Sequence, residues 1–178
     1  MIRKFALFLG MALALAACAS PDAVRFGPDG QPLPQVYRIN KSDTSEVQFR
    51  FLDGVNALRA ASGARQVQLS SELTAAAATH SQDMSLQNRP WHFGSDGSSP
   101  LDRVARAGYN GQLLGENISE SYESEIETLA AWMTQPDTRD VILDPRASDL
   151  GIGWVQEPSG KIWWTVILAE GSTILVQG

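Results

Sequence analysis

The chain has 178 residues, with 14 Lys and Arg against 20 Asp and Glu for a formal net charge of −6, and 43% of it is apolar. The excess of acid argues against a nucleic-acid partner, because affinity for phosphate backbones rests largely on Lys and Arg. Cys18 is the only cysteine, so the folded part has no internal disulfide, thiolate metal cluster or cysteine nucleophile to draw on.

Arg3 and Lys4 give the chain a basic start, and residues 5–17 form an apolar run. Its length suits a secretory signal and falls short of the ~20 residues a transmembrane helix needs. The run closes on Leu15-Ala16-Ala17-Cys18, which resembles the bacterial lipobox. That resemblance implies that residues 1–17 are a lipoprotein signal peptide, that Cys18 carries the lipid, and that the membrane is a partner through this anchor. An ordinary secretory signal, with Cys18 as a chance free thiol, is the competing reading. Ala19 follows the anchor where Asp would signal retention, which favours the outer over the inner membrane of a Gram-negative envelope. Loss of residues 1–17 would leave 12 basic against 20 acidic side chains, a net charge of −8. Residues 18–44 are rich in Pro, Gly and Asp and read as a lipid-anchored tether, with a short strand expected over 36–39. Residues 45–178 then make one domain of ordinary size.

Val47, Phe51, Val55 and Leu58 recur on one helical face, predicting a helix over 46–62 that Gly63 ends. Ser70 caps a second helix whose inner face carries Leu73, Ala77, His80 and Met84. A third, over 100–107, has Ser99 as cap, Pro100 in its first position and Gly108 just past its end. A short extended segment is expected over 113–119. Ser124 and Glu127 form a capping box for a fourth helix, with Ile126, Leu129, Ala130 and Met133 inward and Pro136 as terminator. The period then changes. Segments 151–157 and 161–169 alternate or run apolar around a Pro158-Ser159-Gly160 turn, a hairpin pattern, and 172–177 offers a further strand. The layout is α+β, with about four helices on the faces of a central antiparallel sheet.

Several short motifs follow in order: Asn56-Ala57-Leu58-Arg59, His80-Ser81-Gln82-Asp83-Met84, Trp91-His92, Gly115-Glu116-Asn117-Ile118, Trp132-Met133, Arg139 with Ile142-Leu143, and Gly151-Ile152-Gly153-Trp154. Together, over roughly 46–169, they resemble the CAP superfamily of cysteine-rich secretory, antigen 5 and pathogenesis-related 1 proteins, in its bacterial SCP-like branch. The resemblance implies an α-β-α sandwich whose cleft gathers two histidines and two glutamates, in some members around a divalent metal. His92 matches the first cleft histidine and Glu116 the first glutamate. Such a pair can share a proton, orient a polar ligand, or supply the N and O ligands that zinc accepts.

The departures weigh against a metal. Gln135 stands where the family has its second glutamate, Thr138 where bacterial members have a histidine, and Val141 where they have an asparagine. One histidine and one carboxylate make a poor zinc site, so no cofactor is expected; zinc would require His80 or a main-chain group to complete the site. His80 reads either as a core histidine satisfied by one hydrogen bond or as a member of the cleft. The five tryptophans are expected mostly to fill the core, with one or two exposed.

Three functions compete. The leading one is a non-enzymatic, membrane-anchored envelope protein that binds a small amphipathic or lipid ligand, or an envelope component, through a cleft with His92, Glu116, Asn117 and His80. It rests on the depleted tetrad, the absence of a Gly-x-Ser-x-Gly elbow, and the lipid and sterol binding that the resemblance implies. The second is a hydrolase in which His92 is the general base and Glu116 orients it, with a serine or water as nucleophile. The third is a protein–protein interaction module whose cleft is degenerate.

Overall fold

Helix α1 (Thr44–Ser62) runs to Gly63, whose left-handed backbone (φ 77°) lets its N–H close on the last turn. The computed structural model describes residues 36–171 together with Pro28 and Gln31. The expected signal peptide, Cys18, most of the segment expected to be a tether and the strand expected over 172–177 lie outside the described residues.

After a two-residue strand β1 (Gln68–Leu69), Ser70 caps α2 (Ser71–Gln87) by accepting from the Leu73 N–H, and a Ser99–Asp102 capping box with Pro100 opens α3 (Pro100–Arg106). Strand β2 (Gln112–Ser121) is longer than the extended segment expected there, and α4 (Glu125–Thr134) opens on the Ser124–Glu127 box. Pro136 ends α4 and also begins α5 (Pro136–Leu143), giving five α-helices among the described residues where about four were expected. The reason is that proline lacks only an N–H that the first helical position leaves unpaired anyway. Strands β3 (Asp149–Gln156) and β4 (Ile162–Glu170) form the expected hairpin, with Gly160 at φ 101° in its turn.

The sheet order is β1-β3-β4-β2. Three strands are antiparallel as expected, but β1 joins β3 in parallel, so the sheet is mixed. Both faces are covered, which makes an α-β-α sandwich. Helices α1, α4 and α5 lie on one face, where Val47, Phe51, Val55, Leu129 and Ile142 meet Trp164, Val166 and Leu168; α2 and α3 lie on the other, where Leu73, Ala77 and Val104 meet Ile167 and Ala169. Every residue of β4 from 162 to 169 is therefore buried, the mark of a central strand covered on both sides. Helix α2 sits directly on β3. A Cβ at Gly153 would fall 2.2 Å from the Ala78 nitrogen, and one at Gly151 2.2 Å from the Leu73 carbonyl carbon.

Two expectations need correction. The inner face of α4 is Glu125, Thr128, Leu129 and Trp132, whereas Ile126 and Ala130 are exposed. Glu125 takes an inward position because Arg50 and the Tyr37 hydroxyl both bond its carboxylate at 2.7 Å, and this turns the helix about its axis. Residues 36–39 form no strand. They lie against the domain because the Gln156 side-chain amide donates to the Tyr37 carbonyl (2.8 Å) and accepts from the Ile39 N–H (3.0 Å), as a neighbouring strand would. Trp132, Trp163 and Trp164 are buried, and Trp91 and Trp154 are partly exposed.

Candidate functional site

Strand β2 is an edge strand, and its pleat sends successive side chains to opposite layers. Glu116 points to the α2–α3 side. There α2 supplies His80 from its buried face, the loop after α2 supplies Trp91 and His92, and α3 supplies Arg103. The Glu116 side chain is only 2% exposed, and its two oxygens lie 2.9 and 2.7 Å from Arg103 Nη2. The other guanidinium nitrogen, Nη1, donates to the carbonyls of His92 (3.0 Å) and Ser98 (3.1 Å). One arginine thus neutralises the carboxylate and fastens the 92–98 loop to it, with the short, charge-assisted bonds expected of such a pair.

His92 Nδ1 is 2.9 Å from Glu116 Oε1. A carboxylate held by a guanidinium accepts, so Nδ1 is the donor of this bond. The His92 side chain is 48% exposed, whereas those of His80, Glu116 and Arg103 are buried. Its chain neighbours Trp91 and Phe93 pack their rings on each other with centroids 5.4 Å apart, and the Arg89 guanidinium lies 3.6 Å over the Trp91 ring.

His80 is fully buried, with Nε2 3.0 Å from the Trp91 carbonyl and 3.7 Å from Glu116 Oε1. A carbonyl only accepts, so Nε2 donates to it, and Nδ1 has no hydrogen-bond partner among the described residues. Burial pushes this imidazole below its ordinary value near 6.5, outweighing the opposite pull of Glu116. His80 is therefore a neutral prop beneath the loop that presents His92.

The structure brings His80, His92 and Glu116 together and separates them from Asn117 and Thr138. Asn117 points to the other layer, where its Nδ2 donates to the Thr138 carbonyl at 2.9 Å, and the Thr138 hydroxyl donates to the Trp132 carbonyl at 2.6 Å. Gln135 is exposed at the junction of α4 and α5. Arg103 escaped the sequence reading. Its signal was there, since it lies beside Val104 on the inward side of a short capped helix, where a charged residue needs a buried partner.

The residues present do not fit a divalent metal. Arg103 takes the cation's position at Glu116, and the His80 nitrogen nearest to that carboxylate is spent as a donor. No group of three His, Cys, Asp or Glu side chains suited to a metal ion occurs among the described residues.

The same arrangement of helices and sheet occurs in known proteins. The model of the Cysteine-rich secretory protein (CAP) family matches residues 52–168. The uncharacterized protein YkwD of Bacillus subtilis (strain 168) is 31% identical over 122 residues, which is 68% of this chain and 47% of that one, so the chain spans about half the length of this relative. Among solved structures, an outer surface protein of Borrelia burgdorferi shares the fold with TM-score 0.65 at 13% identity, covering 78% of this chain and 100% of that one. An SCP-domain extracellular protein of Bacillus anthracis does so with TM-score 0.64 at 20% identity, covering 74% and 44%. With about two thirds of its length matched by the family model, the chain belongs to the CAP family.

Proposed function

We propose that this chain is an exported, lipid-anchored CAP protein of the cell envelope that binds a small amphipathic ligand, or an amphipathic envelope component, at His92 and does not turn it over. The observation that carries this reading is what the cluster offers to solvent. Glu116 is spent on Arg103 and His92, His80 is buried, and a single half-exposed imidazole is left, flanked in the chain by a partly exposed Trp91 and an exposed Phe93. One polar contact beside apolar surface suits a ligand with a polar end and an apolar body. The signal-like start, the Leu15-Ala16-Ala17-Cys18 motif and a fold shared with an outer surface and an extracellular protein support export.

Two measurements test it. In cells fed an alkyne-bearing fatty acid, the wild-type chain should take up the label and sediment with membranes, and Cys18→Ala should do neither; equal labelling of the two would refute the anchor. A short-chain phosphatidylglycerol below its micelle concentration should shift the His92 ring resonances, and Phe93→Ala should weaken that binding.

A second reading has its own observation. A histidine whose Nδ1 donates to a carboxylate while Nε2 faces solvent has the orientation of a general base. Hydrolysis of a fluorogenic casein or ester that is lost in His92→Gln would establish it in place of the binding role.

A further inference from the structure

Helices α2 and α3 share one face of the sheet without closing on each other. Ala75, Ala76 and Thr79 of α2 and Ala107 beyond α3 are small, and a cavity of about 500 Å³ lies between them. That volume is within the ~300–1,000 Å³ usual for small-ligand sites. Leu86 adds an apolar wall and is 77% exposed.

Arg103, Arg106, Asp96 and Asp83 line the space, and the first three are spoken for. Arg103 pairs with Glu116 at 2.7 Å, and Arg106 pairs with Asp96 at 2.6 Å. Asp83 pairs with no cation among the described residues. It accepts from the Ser95 N–H (2.6 Å) and the Gln87 amide (3.1 Å), two of the roughly four bonds a carboxylate can take. The cavity thus combines small apolar walls with one uncompensated negative charge.

We infer that the α2–α3 cavity is a binding site for a small amphipathic cation, an alkyl- or arylammonium whose chain lies along Ala75, Ala76, Ala107 and Leu86 and whose nitrogen meets Asp83. The site is separate from His92 and touches the first cluster only through Arg103, so it stands whether or not the proposed function does. An anionic ligand would have to take Arg103 from Glu116 or Arg106 from Asp96. A neutral alcohol would gain the apolar contact without the charge. Because a partly exposed ion pair contributes modestly, chain length sets most of the affinity, at about fourfold per CH₂.

The test is amide chemical-shift titration of the protein with n-butylammonium, n-hexylammonium, hexanoate and hexanol. Hexylammonium should move the amides of Ala75, Thr79, Asp83 and Ala107 and bind roughly fifteenfold tighter than butylammonium. Hexanoate should bind more weakly than either hexylammonium or hexanol. Asp83→Asn keeps an acceptor for Ser95 and should weaken hexylammonium about fivefold while leaving hexanol unchanged. Ala75→Trp, on the cavity wall, should fill the space and abolish binding of both. The inference is overturned by hexanoate binding as tightly as hexylammonium, by shifts that map elsewhere, or by Asp53→Asn on α1 weakening hexylammonium as much as Asp83→Asn does.

Discussion

Replacing Arg103 with Met keeps the apolar stem and removes the guanidinium from a carboxylate whose side chain is 2% exposed. Deleting one partner of a buried ion pair costs about 3–5 kcal/mol, because the other charge stays behind without compensation. The carbonyls of His92 and Ser98 lose a donor as well, at about 1 kcal/mol each where water does not replace it. Against this, the half-exposed His92 side chain at the edge of the cluster lets water reach the stranded groups, returning part of the loss. The balance is a destabilisation of about 3–4 kcal/mol. In a domain of this size about 1 kcal/mol moves the melting temperature by roughly 3–5 °C, so circular dichroism at pH 7 should show a fall of roughly 10–15 °C. Adding Glu116→Gln removes the stranded charge, and the double variant should regain about 2 kcal/mol over Arg103→Met alone. A single-variant loss under about 1 kcal/mol, or a double variant as unstable as the two single losses added together, would refute the reasoning.

Three further perturbations probe other parts of the fold. Arg59 is fully buried and donates to the carbonyls of Arg65, Ile142, Asp144 and Ala147; Arg59→Met should cost about 3 kcal/mol in a urea melt, since it strands several buried acceptors at once. Gly153→Ala should cost about 3 kcal/mol or prevent folding, because the added Cβ would meet the α2 backbone, which cannot give way as a flexible side chain could. For pH, burial holds His80 below its ordinary value near 6.5, so the unfolded chain takes up this proton before the folded one does. Stability should therefore fall as pH drops below about 6.5, by at most about 1.4 kcal/mol per unit from this residue, until the folded-state value is passed. Urea midpoints measured from pH 7.5 to 5 should show a shallower decline for His80→Gln; identical slopes would remove His80 from the account.

Local signals carried most of the architecture. Three helix starts and the glycine after α1 were legible because a cap or a left-handed residue acts within one turn, and the β3–β4 hairpin because its turn residues sit between apolar runs. What the sequence hid depends on distant partners. The face of α4 follows from Glu125 being claimed by Tyr37 and Arg50, 88 and 75 residues away in the chain. The two-residue β1 exists only because β3 lies beside it. In the site, His92 and Glu116 could be picked out by resemblance, but the placing of His80 beneath Trp91 and of Arg103 on Glu116 is tertiary information. Arg103 shows why such a residue is easily passed over. Its helix reads only as a short capped segment, and although its place beside Val104 hints at a buried partner, nothing local says that the acid is 13 residues further on.

The two faces of β2 explain how this chain departs from its family's pattern without losing the fold. Glu116 and Asn117 are neighbours in sequence, yet the pleat sends the first to α2 and α3 and the second to α5. Thr138 lies on the Asn117 side, where its hydroxyl closes the junction of α4 and α5 on the Trp132 carbonyl and its own carbonyl receives Asn117. Val141, one helical turn along, packs its methyl groups where a Cβ at Gly115 would sit, with Cγ2 only 2.6 Å from that point. Both departures therefore tighten the packing of α5 on the strand that carries Glu116. The polar groups on the α2–α3 side then stand on a strand braced from behind, with Arg103 in the place that a second cation, metal or imidazolium, would otherwise have to fill.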